Sequence, residues 1–155
     1  MTAAPLLLSL LLAASVAGDT SEEATPSPCY DVAVRAKLID QIPSIMPECD
    51  DCLIMSWPWF VDLKVARVLE GHLDDKVVTA LVVQHTYHVS RYGVWKLRHN
   101  AVGGYNVVQG FDSDKPPARC AAGTPPAKPY IRSKDKSLDD LRNEGIKQYG
   151  HYPKQ

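Results

Sequence analysis

The residues best suited to chemistry are Cys49-Asp50-Asp51-Cys52, two sulfurs at a spacing that redox proteins and zinc sites both use. A redox pair needs a thiolate stabilised by nearby positive charge or by a helix N-terminus. Here two carboxylates lie between the sulfurs, and Leu53 to Trp59, which contains Pro58, does not read as a helix behind a strand. A zinc site would take two ligands from this motif and the rest from His85, His88 and His99. His85 and His88 stand three apart in a segment that reads as a strand, so they project to opposite faces and at most one could join. Disulfides are the plainer expectation, and four cysteines allow three pairings. Joining Cys29 to Cys120 would tie the start of the first strand to the exit of the last. Joining Cys49 to Cys52 would staple the long loop that contains them, while the alternative crosses that loop to the termini.

A second candidate is the aromatic set Trp57, Trp59, Tyr92, Trp95 and Tyr105. On a small barrel such residues can form a stacking surface for bases or sugars. They can equally supply core area, because each tryptophan buries so much apolar surface. Arg91, Lys96 and Arg98 beside them would suit an acidic partner, or form a solvated strand face. No catalytic residue is assigned. Ser56 and Ser90 lack a nucleophile elbow, Asp50-Asp51 and Asp74-Asp75 lie in turns, and Gly103-Gly104 opens no helix that could cradle a phosphate.

The elements that position these residues centre on Trp59 to Val89, two strands joined by a polar turn at Gly71 to Asp75. Val61, Leu63 and Val65 alternate with polar residues, the period of a strand with one buried face. The alternation then slips, which predicts a β-bulge near Ala66 and Arg67. The returning strand has Val77, Thr79, Leu81 and Val83 on one face and Val78, Ala80 and Val82 on the other, so with both faces apolar it is expected to be central. Tyr30 to Ile39 alternates as a first strand, and a Pro-interrupted connection follows from Gln41 to Trp57. A fourth strand covers residues 93–100, with Trp95, Leu97 and His99 on one face and Val94, Lys96 and Arg98 on the other; Tyr105 to Gln109 is the fifth. Near the C-terminus Ser137 and Asp140 form a capping box, and Leu138, Leu141, Gly145, Ile146 and Tyr149 recur at helical spacing. A helix over 138–149 is expected to dock on the strands. The fold class is therefore all-β: a five-stranded antiparallel barrel with a short C-terminal helix.

Length and composition set the outer limits. The chain has 155 residues, 45% of them hydrophobic, enough for one core with tails. Lys and Arg number 17 against 18 Asp and Glu, so no general excess of cations exists to neutralise phosphates. Nucleic acid is not an expected partner, though local basic patches are compatible with this balance. The apolar run from Pro5 to Val16 ends in Ser15-Val16-Ala17, a small-x-small cleavage pattern, so residues 1–17 read as a secretory signal peptide. The run is shorter than the roughly 20 residues a membrane span requires. Residues 18–28 read as a disordered leader, 29–112 as the barrel and 113–155 as a Pro-rich tail with its helix. The mature chain is expected to be secreted or periplasmic, free of membrane, in a compartment where disulfides persist.

A family resemblance rests on three stretches. They are Cys29-Tyr30-Asp31-Val32-Ala33-Val34-Arg35-Ala36-Lys37, then Val61-x-Leu63-x-Val65-x-x-Val68-Leu69-Glu70-Gly71, then the Val-rich strand. Together they resemble the OB-fold modules of netrin C-terminal domains and tissue inhibitors of metalloproteinases, over roughly residues 29 to 109. The resemblance implies an OB-fold-like barrel. It does not carry the inhibitor activity, which uses an N-terminal cysteine to chelate zinc, because Cys29 follows Pro28 inside the expected mature chain and the Cys-x-Cys start is missing. The expected function is an exported, non-enzymatic domain that needs no cofactor or metal and binds a protein or other macromolecule. Binding is expected to use the long loop after the first strand and the turn around Tyr92, with Trp57, Trp59, Tyr92 and Trp95 as the candidate binding residues. The alternative is a thiol-disulfide redox or zinc-binding protein working through Cys49 and Cys52.

Overall fold

A computed structural model describes residues 28–51, 53–89, 92–109, 116–131 and 135–152. The expected signal peptide, the leader up to residue 27, Cys52, Ser90 and Arg91 lie outside the described residues. Five strands close into a ring: β2 (Val32–Pro43), β3 (Trp57–Glu70), β4 (Val77–Gln84), β6 (Tyr105–Val107) and β5 (Tyr92–His99), in that order. Beside it pair the two-residue strands β1 (Cys29–Tyr30) and β7 (Ala118–Arg119), and the helix α1 (Leu138–Tyr149) follows.

The expectation of a wholly antiparallel barrel is corrected at one seam. The pairings of β2 with β3, β3 with β4, β2 with β5 and β5 with β6 are antiparallel, but β4 and β6 run parallel, through Ala80 opposite Tyr105 and Leu81 opposite Asn106. The reason is parity. A closed ring with an odd number of strands cannot alternate direction all the way round, so one pair must be parallel.

Inside the ring, the predicted alternation holds. Val32, Val34, Ala36 and Leu38 from β2, Val61 and Leu63 from β3, Val78, Ala80 and Val82 from β4 and Leu97 from β5 make one buried cluster. The predicted bulge is at Ala66: Ala36 faces Val65 and Arg35 faces Arg67, leaving the residue between them unopposed. Pro43 and Pro58, expected to break regular structure, instead sit at strand ends, paired with Trp59 and Val83. Leu81 of β4 joins Ile42 and Phe60 in a second cluster, covered by Leu138, Leu141 and Ile146 of α1. That explains why β4 is apolar on both faces.

The helix begins in the predicted capping box, with Asp140 N donating to Ser137 Oγ at 3.1 Å and Ser137 N donating to Asp140 Oδ2 at 3.0 Å. It lies close to β2 because residue 145 has no side chain; a Cβ on Gly145 would overlap the Pro43 carbonyl oxygen. Gly145→Ala is therefore expected to destabilise the fold by about 1 to 3 kcal/mol through overpacking, although alanine is the better helix former by about 1 kcal/mol. The urea midpoint checks this, and a gain in stability would show that the helix stands off the barrel.

The Pro-rich segment is strapped to the barrel by hydrogen bonds, one of them from the buried Asn106. Asn106 Nδ2 donates to the Lys128 carbonyl at 2.7 Å, Ala101 N to that of Ala127 at 2.9 Å, and Tyr130 Oη to that of Val107 at 3.0 Å. The disulfide Cys29–Cys120 closes the same region. Arg98, expected on a solvated face with Lys96, is buried here: its guanidinium pairs with Asp31 at 2.5 Å and donates to the Pro125 carbonyl. The strand pattern was read correctly for Leu97, but the segment that covers the outer face at Arg98 comes from 27 positions further on. His99, expected to share the face of Leu97, is exposed and packs against the Tyr105 ring, centroids 4.5 Å apart.

Candidate partner-binding surface

The candidate residues collect at one end of the barrel, where β2 and β4 finish and β3 and β5 begin. Two connections leave this end, residues 44–56 and residues 85–91. Period-2 geometry sends Trp57 and Trp59 to the same face of β3. That face is the inner one: Trp59 is buried, Trp57 packs on it at 5.6 Å between ring centroids, and Trp95 and Tyr152 pack on the same cluster. Three of the four candidate binding residues thus plug the mouth of the barrel. Tyr92 is the one on the outside, 54% exposed at the start of β5.

A buried glutamine holds the second connection to the mouth. Gln41 Oε1 accepts from His88 N at 2.8 Å and from Gln84 Nε2 at 3.3 Å, while Gln41 Nε2 donates to the His88 carbonyl at 3.1 Å. Tyr152 N donates to the Gln41 carbonyl at 2.8 Å, and its ring stacks with Tyr87 at 6.0 Å. The first connection is pinned at both ends. Ser44 N and Oγ donate to the Pro58 carbonyl at 3.1 and 2.5 Å, and the Met55 carbonyl lies 2.5 Å from His85 Nδ1. Between those pins the side chains face water: Leu53 is 84% exposed, and Ile45, Met46 and Met55 are exposed with it. From the second connection Val89, 82% exposed, and Tyr87 add to the same rim. The sequence points to this loop and to the turn around Tyr92 as binding elements, but not to which of their side chains are exposed, because a loop has no period from which to tell inward from outward.

Six buried side-chain polar atoms lack a hydrogen-bond partner among the described residues, and five of them are here: the indole nitrogens of Trp57, Trp59 and Trp95, Gln84 Oε1 and His88 Nε2. Buried polar groups of this kind are ordinarily paired, and their concentration here sets this end of the barrel apart. Burial lowers the His88 pKa below its ordinary 6.5, and the ring meets the edge of Trp95 at 5.5 Å. The unfolded chain then binds a proton more readily than the folded one, so His88 contributes stability above about pH 6.5 that is lost as pH falls below it. The protection factors of the amides across residues 85–89 are expected to fall between pH 7 and 5, and His88→Gln should flatten that fall. An unchanged profile in the variant would exclude His88 as its source.

Cys49 is disulfide-bonded, and Cys52 lies outside the described residues. His85 is engaged with Met55, His88 faces Trp95, and His99 is at the opposite end of β5. Among the described residues no group of three or more His, Cys, Asp or Glu side chains is placed to hold a metal ion. No protein-family model, curated protein or solved structure matches this chain.

Proposed function

We propose that this chain is an exported, non-enzymatic barrel domain of the OB type that docks a protein partner on the apolar rim formed by residues 45–55 and 85–89 with Tyr92. The observation that carries the reading is the exposure of Leu53, Met55, Val89 and Tyr92 on the connections at one end of the barrel. Apolar side chains gathered on loops above a rigid frame are the usual composition of a protein-binding surface. The OB assignment is supported by the order of the ring, in which the third and fifth barrel strands form the parallel seam. Export is supported by the Cys29–Cys120 disulfide, and no described helix is long and apolar enough to cross a membrane.

The test places a photo-crosslinking residue at position 53 of the secreted protein, in the fluid it is secreted into. Capture of one protein species, lost in a Met55→Ser, Val89→Ser, Tyr92→Ser variant with an unchanged melting temperature, is the expected result. Equal capture by that variant would contradict the reading.

A further inference from the structure

The outer face of β2 and β3 carries four cations in two rungs. Lys37 lies directly opposite Lys64, and Arg35 directly opposite Arg67. All four are exposed, and none makes an ion pair among the described residues. Each rung is about 5 Å wide, and the two stand about 7 Å apart along β2. The Ala66 bulge creates the second rung: by taking up one residue unpaired, it brings Arg67 rather than alanine opposite Arg35.

Like charges directly opposite one another destabilise a sheet, and elsewhere this protein relieves them. Asp40 and Asp62 form a like-charged rung further along the same two strands, where Arg142 reaches Asp62 at 2.6 Å and Asp40 at 3.6 Å and His151 reaches Asp40 at 2.7 Å. The cationic rungs have no such counter-charge. Edge protection, the common use of strand lysines, does not account for Arg35, Lys37 and Lys64, each of which has a paired strand on both sides; Arg67 alone lies past the last pair of the β3–β4 ladder. Nor is the array a by-product of a basic chain, whose net charge is -1. Its flanks are exposed and apolar: Tyr92 opposite Lys37, Val94 opposite Arg35 and Val77 opposite Lys64.

We propose that these two rungs bind a linear sulfated polysaccharide. Four uncompensated cations on two adjacent strands match a chain with permanently ionised groups at short intervals, and arginine can take a sulfate through two parallel N–H donors. A disulfide-bonded protein works in an oxidising compartment, where polysaccharides are the extended polyanions on offer. This site is distinct from the loops of the apolar rim, since its four side chains lie on the strands and not on residues 45–55 or 85–89; Tyr92 borders both.

The test measures binding of the full disulfide-bonded chain to a heparin hexasaccharide across a salt series. Binding with a log–log salt slope of about -3 to -4, the value for four neutralised charges, is expected. An Arg35→Gln, Lys37→Gln, Lys64→Gln, Arg67→Gln variant should lose at least tenfold in affinity while its melting temperature rises, because the repulsion has gone. A Leu53→Ser, Met55→Ser variant should bind heparin as the parent does, which separates this site from the rim. Retained binding in the quadruple variant, a fall in its melting temperature, equal affinity for single-stranded DNA of similar charge, or binding to anionic vesicles that heparin does not displace would each overturn the proposal.

Discussion

Replacing Cys29 and Cys120 together by serine is expected to cost about 4 to 5 kcal/mol, the chain-entropy value for closing so long a loop. The two residues are 91 positions apart, so the link removes much of the freedom of the unfolded chain. It also acts on the folded side. Cys29 opens β1, whose register with β7 sets Cys29 beside Ala118 and Tyr30 beside Arg119, and Cys120 N donates to the Tyr30 carbonyl at 2.8 Å. Without the bond, this two-residue ladder would have to hold the Pro-rich segment alone, and a pair of strands that short is not stable by itself. The urea midpoint of the double serine variant checks the magnitude. A loss under about 1 kcal/mol would mean that the straps at Asn106 and Tyr130 suffice and that the cross-link adds little to a chain already constrained when unfolded.

Arg98→Met should be nearly as damaging, at about 3 to 5 kcal/mol, because it leaves a charge without its partner in a mostly buried site. Arg98 is 8% exposed and Asp31 22% exposed in their side chains. Asp31 Oδ2 also accepts from His99 N at 2.7 Å, so the carboxylate cannot turn to water without breaking a backbone tie. The same substitution strips the Pro125 carbonyl of its donor. Adding Asp31→Asn removes the stranded charge and keeps an acceptor for His99 N, so the double variant should recover more than half of the loss. Additive losses in that cycle would show that Arg98 acts through the Pro125 strap and not through Asp31.

Much of the frame can be read from local pattern. Val61, Leu63 and Val65 point inward as their period requires, the slip after Val65 is a bulge at Ala66, and Ser137 with Asp140 caps the helix. Each of these depends on residues within a few positions of one another. What depends on distant chain could not be read that way. Arg98 looked solvated because nothing near it in sequence says that Pro125 will cover it. The tryptophans could have faced either way, and their inward placement is decided by the closure of the ring around them. The cationic rungs were invisible for the same reason: Lys37 and Lys64 are unremarkable until strand register sets them face to face. The parallel seam follows from counting strands in a closed ring, an argument available from sequence once closure is assumed.

The fold rests on a barrel that closes between β4 and β6. Isotope-edited NMR measures this directly, through close proton contacts across that seam. Contacts linking Ala80 with Tyr105 and Leu81 with Asn106, advancing together along both strands, are the expected result. Contacts that advance in opposite directions, or β4 amides that exchange as freely as an open edge, would contradict the closed barrel and with it the inward placement of the tryptophans beneath the rim.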